Sequence, residues 1–106
     1  MSRSPADATP VIVDLPPAVG DDAEARRALL ERLRGLVGRG SSNILLNVDA
    51  LATVTSEQLG AIIQAYIVVV KSGGSLMLLR VSDRLRRLLI VTKLDRFIET
   101  VQPRDC

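Results

Sequence analysis

Apolar residues along this chain form short runs that alternate with segments of helical periodicity. A first apolar run at residues 11–13 is closed by the proline pair 16–17, and longer apolar runs begin at Ile44 and Leu76. Between these runs, apolar residues recur at three- and four-residue steps, as they do on one side of a helix. The pattern predicts three strands, each followed by a helix, and a last edge strand at residues 97–101. The periodic positions are Ala25, Leu29, Leu33, Leu36 and Val37, then Leu59, Ile62, Ile63, Tyr66, Ile67 and Val70, then Leu85, Leu88 and Leu89.

Capping and turn residues mark the ends of the predicted helices. Residues 20–22, Gly-Asp-Asp, open the first helix, and glycines 38 and 40 end it. Thr55 and Gln58 predict a capping box at the start of the second helix, in which side-chain oxygens satisfy backbone N–H groups of the first turn. A helix start of this kind favours negative charge. A capping box needs no further function, so the motif alone leaves a purely structural role as open as a binding role.

Strands that alternate with helices predict an α/β layer, in which parallel strands are joined by right-handed crossovers and helices pack on the sheet. The runs at residues 44–48 and 76–81 are almost wholly apolar. We therefore expect these two strands to be buried on both faces.

A chain of 106 residues is long enough for one domain and too short for two. We predict a disordered N-terminus at residues 1–9, a single domain at 10–102 and a C-terminal tail at 103–106. No secretion signal is recognisable at the start, and the longest apolar segment, 62–70, is too short to span a bilayer. With a single cysteine, Cys106, a disulfide framework is excluded, and we expect a reducing, cytoplasmic setting.

The composition also limits the chemistry of the protein. It has no histidine, which removes the usual general base and the commonest metal ligand. Ser56 or Asp49 could act as a nucleophile, but no acid–base pair or glycine-rich phosphate cradle accompanies them. We therefore predict no enzymatic activity, no metal site and no cofactor.

Charge and aromatic content argue against a nucleic-acid partner. The net charge is +2 and aromatic residues make up 2%, so an extended basic stripe and stacking platforms are both missing. Arg84, Arg86 and Arg87 form a local basic cluster, with Arg80, Lys93 and Arg96 nearby. Our interpretation of this cluster is a solvated helix face whose long side chains lie over apolar surface; a phosphate-binding patch is the weaker alternative.

In this arrangement the chain resembles the STAS domain, the fold of bacterial anti-sigma factor antagonists that is also found in sulfate transporters and in lipid-transport accessory subunits. The resemblance implies a STAS-like α/β fold with a mixed sheet of about four to five strands and helices packed on it. It is strongest after residue 43 and is carried by residues 44–51, ILLNVDAL, 59–62, LGAI, 71–76, KSGGSL, and 81–89, VSDRLRRLL, followed by Thr92, Leu94 and Asp95.

The regulatory motif of that family, Asp-Ser-Ser-Gly, lies at the start of the second helix, and its second serine is phosphorylated by a partner kinase. The phosphoacceptor position here is Glu57, and Ser56 is the one motif residue retained. A fixed carboxylate would replace the phosphate switch. Lys93 also replaces a family glycine near the end of the third helix, which predicts a strained left-handed residue or a different turn.

The resemblance implies a non-catalytic module that binds an anti-sigma factor or serine kinase. The alternative is a STAS subunit of a membrane (lipid) transporter or of a larger signalling assembly, in which no phosphoswitch is required. The sequence leaves three questions open: whether the protein forms a homodimer, whether Ser56 or Thr55 is phosphorylated, and whether Glu57 holds the protein in an active or an inactive state. The residues expected at the binding site are Thr55, Ser56, Glu57 and Gln58, with Asp21 and Asp22 in the neighbouring loop.

Overall fold

The computed structural model of the protein describes residues 10–51 and 54–101. Strands and helices alternate along the chain as the apolar pattern predicts. Two short 3-10 turns, Pro17–Gly20 and Leu94–Arg96, lie before α1 and before β4. The elements are β1 Val11–Asp14, α1 Ala23–Gly38, β2 Asn43–Asn47, α2 Ser56–Lys71, β3 Ser75–Leu79, α3 Asp83–Val91 and β4 Glu99–Val101.

The four strands form one sheet in the order β1-β2-β3-β4, and every neighbouring pair is parallel. In the central pair, Leu45 lies opposite Met77, and Ile12 of β1 lies opposite Leu45. The expected α/β fold with about four strands is confirmed. We expected a mixed sheet, whereas no antiparallel strand occurs among the described residues. Each of the first three strands is followed by a helix that returns the chain to the edge at which that strand began, so the next strand runs in the same direction.

The core lies on one face of this sheet. With sequential strand order and right-handed crossovers, successive helices fall on the same side, and α1 and α2 pack against each other there. Ile44 and Leu46 are buried, but Leu45 between them is only half-buried and Ile12 beside it is 55% exposed. The expectation that β2 is buried on both faces is therefore wrong, because in the described part of the chain the helices cover one face of the sheet.

Backbone turns agree with the capping and glycine signals of the sequence. Asp22 caps α1, since its carboxylate accepts hydrogen bonds from the backbone N–H groups of Glu24 at 3.0 Å and Ala25 at 3.4 Å. The helix ends at Gly38, and Gly40 follows with φ of 101°. This left-handed conformation suits glycine because it has no Cβ to clash with the backbone.

Lys93 keeps the left-handed turn after α3, with φ of 64° and ψ of 18°. A non-glycine residue in this left-handed backbone conformation is destabilised by about 1–2 kcal/mol. Glycine adopts the same conformation without strain but loses more conformational entropy on folding. We expect Lys93→Gly to raise the free energy of unfolding by about 0.5–1 kcal/mol.

Urea denaturation of the wild type and Lys93→Gly measures this difference. Arg87→Gly is the matched control: Arg87 is exposed within α3, where glycine should cost about 1 kcal/mol. Equal destabilisation by the two substitutions would mean that Lys93 carries no strain.

Candidate functional site

The first turn of α2 carries the predicted capping box. The Thr55 hydroxyl accepts a hydrogen bond from the backbone N–H of Gln58 at 3.0 Å. In return, the Gln58 side-chain oxygen accepts from the backbone N–H of Thr55 at 3.0 Å. The box is thus confirmed, and it fixes the direction in which the helix leaves the loop after β2.

Gln58 also joins α2 to the 3-10 turn Pro17–Gly20, a contact that the sequence did not predict. Its side-chain Nε2 donates a hydrogen bond to the backbone carbonyl of Pro17 at 3.1 Å. Gly20 lies so close that a Cβ at this position would be 2.8 Å from the Gln58 Cγ atom. Glycine at position 20 therefore permits the turn to touch the start of α2. Pro17 was interpreted only as a strand terminator, and nothing local in the sequence indicates its distant partner.

The turn and the helix start border an open groove of about 420 Å³. Of the predicted site residues, Thr55, Glu57, Gln58 and Asp21 line it, together with Pro17 and Gly20. Two others do not: Ser56 is exposed as the first residue of α2, and Asp22 is occupied with capping α1. The structure thus brings together four of the six predicted residues around one concave surface. We call this surface the α2 groove.

A second, smaller hollow of about 230 Å³ continues from Glu57 along the helix. It is lined by Arg26, Glu57, Gly60, Ala61 and Gln64. Apart from the backbone of α2 itself and the two adjacent residues, no heavy atom lies within 4 Å of the position of a Cβ on Gly60, so the fold itself does not require glycine there. Arg26 is held in place because its guanidinium donates to the Val19 carbonyl at 2.6 Å. Arg26 and Gly60 were not among the predicted site residues, although an unexplained glycine inside a helix was an available signal.

Two of the residues that line the α2 groove, Asp21 and Glu57, are acidic. Glu57 lies in the first turn of α2, where the helix dipole stabilises a carboxylate. Other exposed acids stand at or after the carboxyl ends of β1 and β2, and they would favour a basic partner surface. They are Asp14, Asp22 and Asp49.

Residues 10–51 and 54–101 contain neither a metal-binding cluster nor a membrane-spanning helix. No group of three or more His, Cys, Asp or Glu side chains there is arranged to hold a metal ion. No helix in the same ranges is long and apolar enough to cross a membrane.

Loss of the Thr55 hydroxyl should destabilise the protein measurably. Thr55→Ala removes the acceptor for the Gln58 N–H, and we expect the free energy of unfolding to fall by about 1 kcal/mol. Ser56→Ala is the adjacent control, because the exposed Ser56 side chain forms no hydrogen bond within the described residues and should change stability by less than about 0.5 kcal/mol. Chemical denaturation of both variants tests this; similar losses would show that the box contributes nothing.

Comparison with known proteins identifies the family. The STAS domain family model matches residues 9–104, which is nearly the whole chain. The chain belongs to the STAS domain family. No curated protein sequence matches this STAS domain closely enough to add a function.

Solved structures agree with this membership. The crystal structure of TM1081 from Thermotoga maritima, a candidate anti-sigma factor antagonist, shares 22% identity with a TM-score of 0.63, over 88% of this chain and 80% of that chain. The NMR structure of the protein TM1081 gives 18% identity and a TM-score of 0.67, over 94% of this chain and 78% of that chain. At these identities the similarity establishes the fold, so the STAS-like α/β architecture expected from the sequence is confirmed.

Proposed function

We propose that this STAS domain is a non-catalytic module of the anti-sigma factor antagonist kind, which binds a protein partner through the α2 groove. The partner implied is an anti-sigma factor that is itself a serine kinase. The observation that carries the proposal is that Glu57, which the resemblance matches to the phosphoacceptor of the family motif, lines the groove together with Asp21. Binding of this type acts by mass action, since an inhibitor held by the antagonist cannot hold its sigma factor.

Glu57 supports a particular form of regulation. A phosphoserine would bring a charge of about −1.5 to −2 to the helix start, whereas the carboxylate supplies one negative charge permanently. A kinase partner therefore has no hydroxyl to modify at position 57, and association would depend on concentration and affinity rather than on phosphorylation of this residue. The two acidic side chains that line the groove, Asp21 and Glu57, support a partner that presents Arg or Lys side chains.

The fixed charge is also the observation that favours the second candidate function. In a STAS subunit of a membrane transporter or of a larger signalling assembly, the contact is permanent and no phosphoswitch is required. Glu57 would then be a constant part of an interface. The same experiment separates the two functions.

The test is affinity capture from the native cell lysate with wild type and Glu57→Ser, each with and without phosphatase treatment, read by mass spectrometry. If the proposal holds, both capture an anti-sigma kinase, and only the serine variant becomes phosphorylated and then releases it. Phosphatase should restore binding of that variant and leave wild type unchanged.

Glu99→Gln is the matched control for loss of a carboxylate, because Glu99 is exposed on β4 rather than in the groove. It should capture the partner as wild type does. Capture of transporter or scaffold proteins by wild type and Glu57→Ser alike, without a kinase, would replace the antagonist function with the subunit function.

A further inference from the structure

Large apolar side chains are exposed around the end of α3. Ile90 is 54% exposed, Val91 77% and Phe97 61%, and they make up half of the six large exposed hydrophobics among the described residues. Phe97 is also the only phenylalanine in the chain. Single exposed apolar residues are normal on a protein surface, but several within one short segment indicate a contact surface.

The same segment concentrates positive charge. Between Arg87 and Phe97 the chain has three Lys or Arg and one Asp, a surplus of two positive charges, which equals the +2 of the whole chain. The remainder of the protein therefore carries no net charge. The sequence predicts arginine side chains that cover apolar surface, yet Val91 remains 77% exposed one turn after Arg87.

The topology separates this segment from the α2 groove. Because all strands are parallel, α2 begins at the carboxyl edge of the sheet, whereas α3 ends at the opposite edge, before β4 begins. Contacts at the end of α3 therefore do not involve the α2 groove. A partner bound in the α2 groove would leave the end of α3 accessible.

We propose that the segment from Arg87 to Phe97, the α3 patch, docks peripherally on an anionic phospholipid bilayer. Ile90, Val91 and Phe97 would enter the boundary between headgroups and acyl chains. The cations beside them would meet lipid phosphates. This combination of apolar and cationic side chains is how interfacial segments bind membrane surfaces. The cations are Arg87, Lys93 and Arg96, all exposed.

Other occupants fit the α3 patch less well. A second copy would bring the same positive surplus against itself, which is repulsive. Protein interfaces are depleted of lysine, whereas here the exposed Lys93 follows Ile90 by three residues and Val91 by two. A nucleic acid would leave the two aliphatic side chains without a counterpart. A bilayer surface accommodates both, because long cationic side chains reach the phosphates while apolar neighbours enter the interface.

Co-sedimentation with phospholipid vesicles tests the proposal on the full chain. Wild type should bind vesicles of phosphatidylcholine mixed with phosphatidylglycerol, should not bind pure phosphatidylcholine, and should bind less as salt screens the charges. Arg87→Gln should weaken binding about fivefold, the contribution typical of one cation near an anionic surface. Val91→Ser should weaken it about threefold to tenfold by removing apolar contact.

Matched controls keep the result specific to the α3 patch. Arg32→Gln removes one exposed cation from α1, and Ile67→Ser removes one exposed apolar side chain from α2; both should bind vesicles as wild type does. Circular dichroism of each variant verifies that the fold is intact. Equal weakening by Arg32→Gln and Arg87→Gln would overturn the proposal, since net charge alone would then explain binding.

The remaining outcomes also decide against a lipid surface. Failure of wild type to bind the anionic vesicles would overturn the proposal directly. Binding to polyglutamate or to duplex DNA instead, with the same dependence on Arg87 and Val91, would assign the patch to an acidic protein or a nucleic acid. Self-association that is lost in Val91→Ser would assign it to a second copy.

Discussion

Replacing Ile62 with alanine should lower the free energy of unfolding by about 2–5 kcal/mol. Ile62 lies on α2, has no exposed surface and belongs to the hydrophobic core that the described residues form. The truncation removes buried methylene and methyl groups and leaves a cavity that the packed neighbours fill only in part. Because a domain of this size has about 5–15 kcal/mol of stability, the loss would be a large fraction of the total.

Ile67→Ala is the control on the same helix. Ile67 is 43% exposed, so truncation there loses little burial and gains helix propensity. We expect a change of less than about 0.5 kcal/mol. Urea denaturation monitored by circular dichroism measures both variants. If both lost the same stability, the face that α2 turns toward the sheet would be assigned wrongly.

Gly74→Ala should destabilise the protein by about 1–3 kcal/mol. A Cβ at position 74 would lie 2.9 Å from the backbone carbonyl oxygen of Ser42, and 3.1 Å and 3.2 Å from methyl carbons of Val37 and Val69. The carbonyl cannot simply rotate away, because it accepts a hydrogen bond of 2.7 Å from the backbone N–H of Ser75. The added methyl group therefore has to displace the beginning of β3 from β2 or push α1 and α2 apart.

Gly60→Ala is the same chemical change with the opposite expected sign. Apart from the backbone of α2 itself and the two adjacent residues, nothing lies within 4 Å of a Cβ on Gly60, which is inside α2, so alanine should raise the free energy of unfolding by about 1 kcal/mol. Thermal and urea denaturation of the two variants give the comparison. Stabilisation by Gly74→Ala would contradict the close approach of Gly74 to Ser42.

The Gly60 comparison also bears on the proposed function. If Gly60→Ala stabilises the fold but weakens capture of the partner, the hollow between Glu57 and Gln64 is part of the contact surface. If capture is unchanged, the partner contacts the α2 groove without extending over Gly60. Stability and binding are thus measured on one variant and interpreted separately.

Features that depend on neighbours in the chain were predictable from the sequence. The capping box joins residues three apart, and the cap on α1 joins Asp22 to the next few N–H groups, so residue types alone indicate them. The order of strands and helices follows from apolar periodicity for the same reason. Glu57 at the start of α2 was likewise identifiable before the fold was known.

Other features arise between residues that are distant in the chain, and only the tertiary structure decided them. Leu45 and Leu46 look alike in the sequence, yet one is half-buried and the other is fully buried, because burial depends on which face the helices cover. The contact between Gln58 and Pro17 joins residues 41 positions apart, and no local pattern specifies it. The exposure of Val91 could not be predicted from the sequence either, because periodicity gives the apolar positions of α3 but not the residues that pack against them. The sequence by itself thus determined the elements and their caps through short-range contacts, while packing between distant elements shaped the α2 groove and the α3 patch.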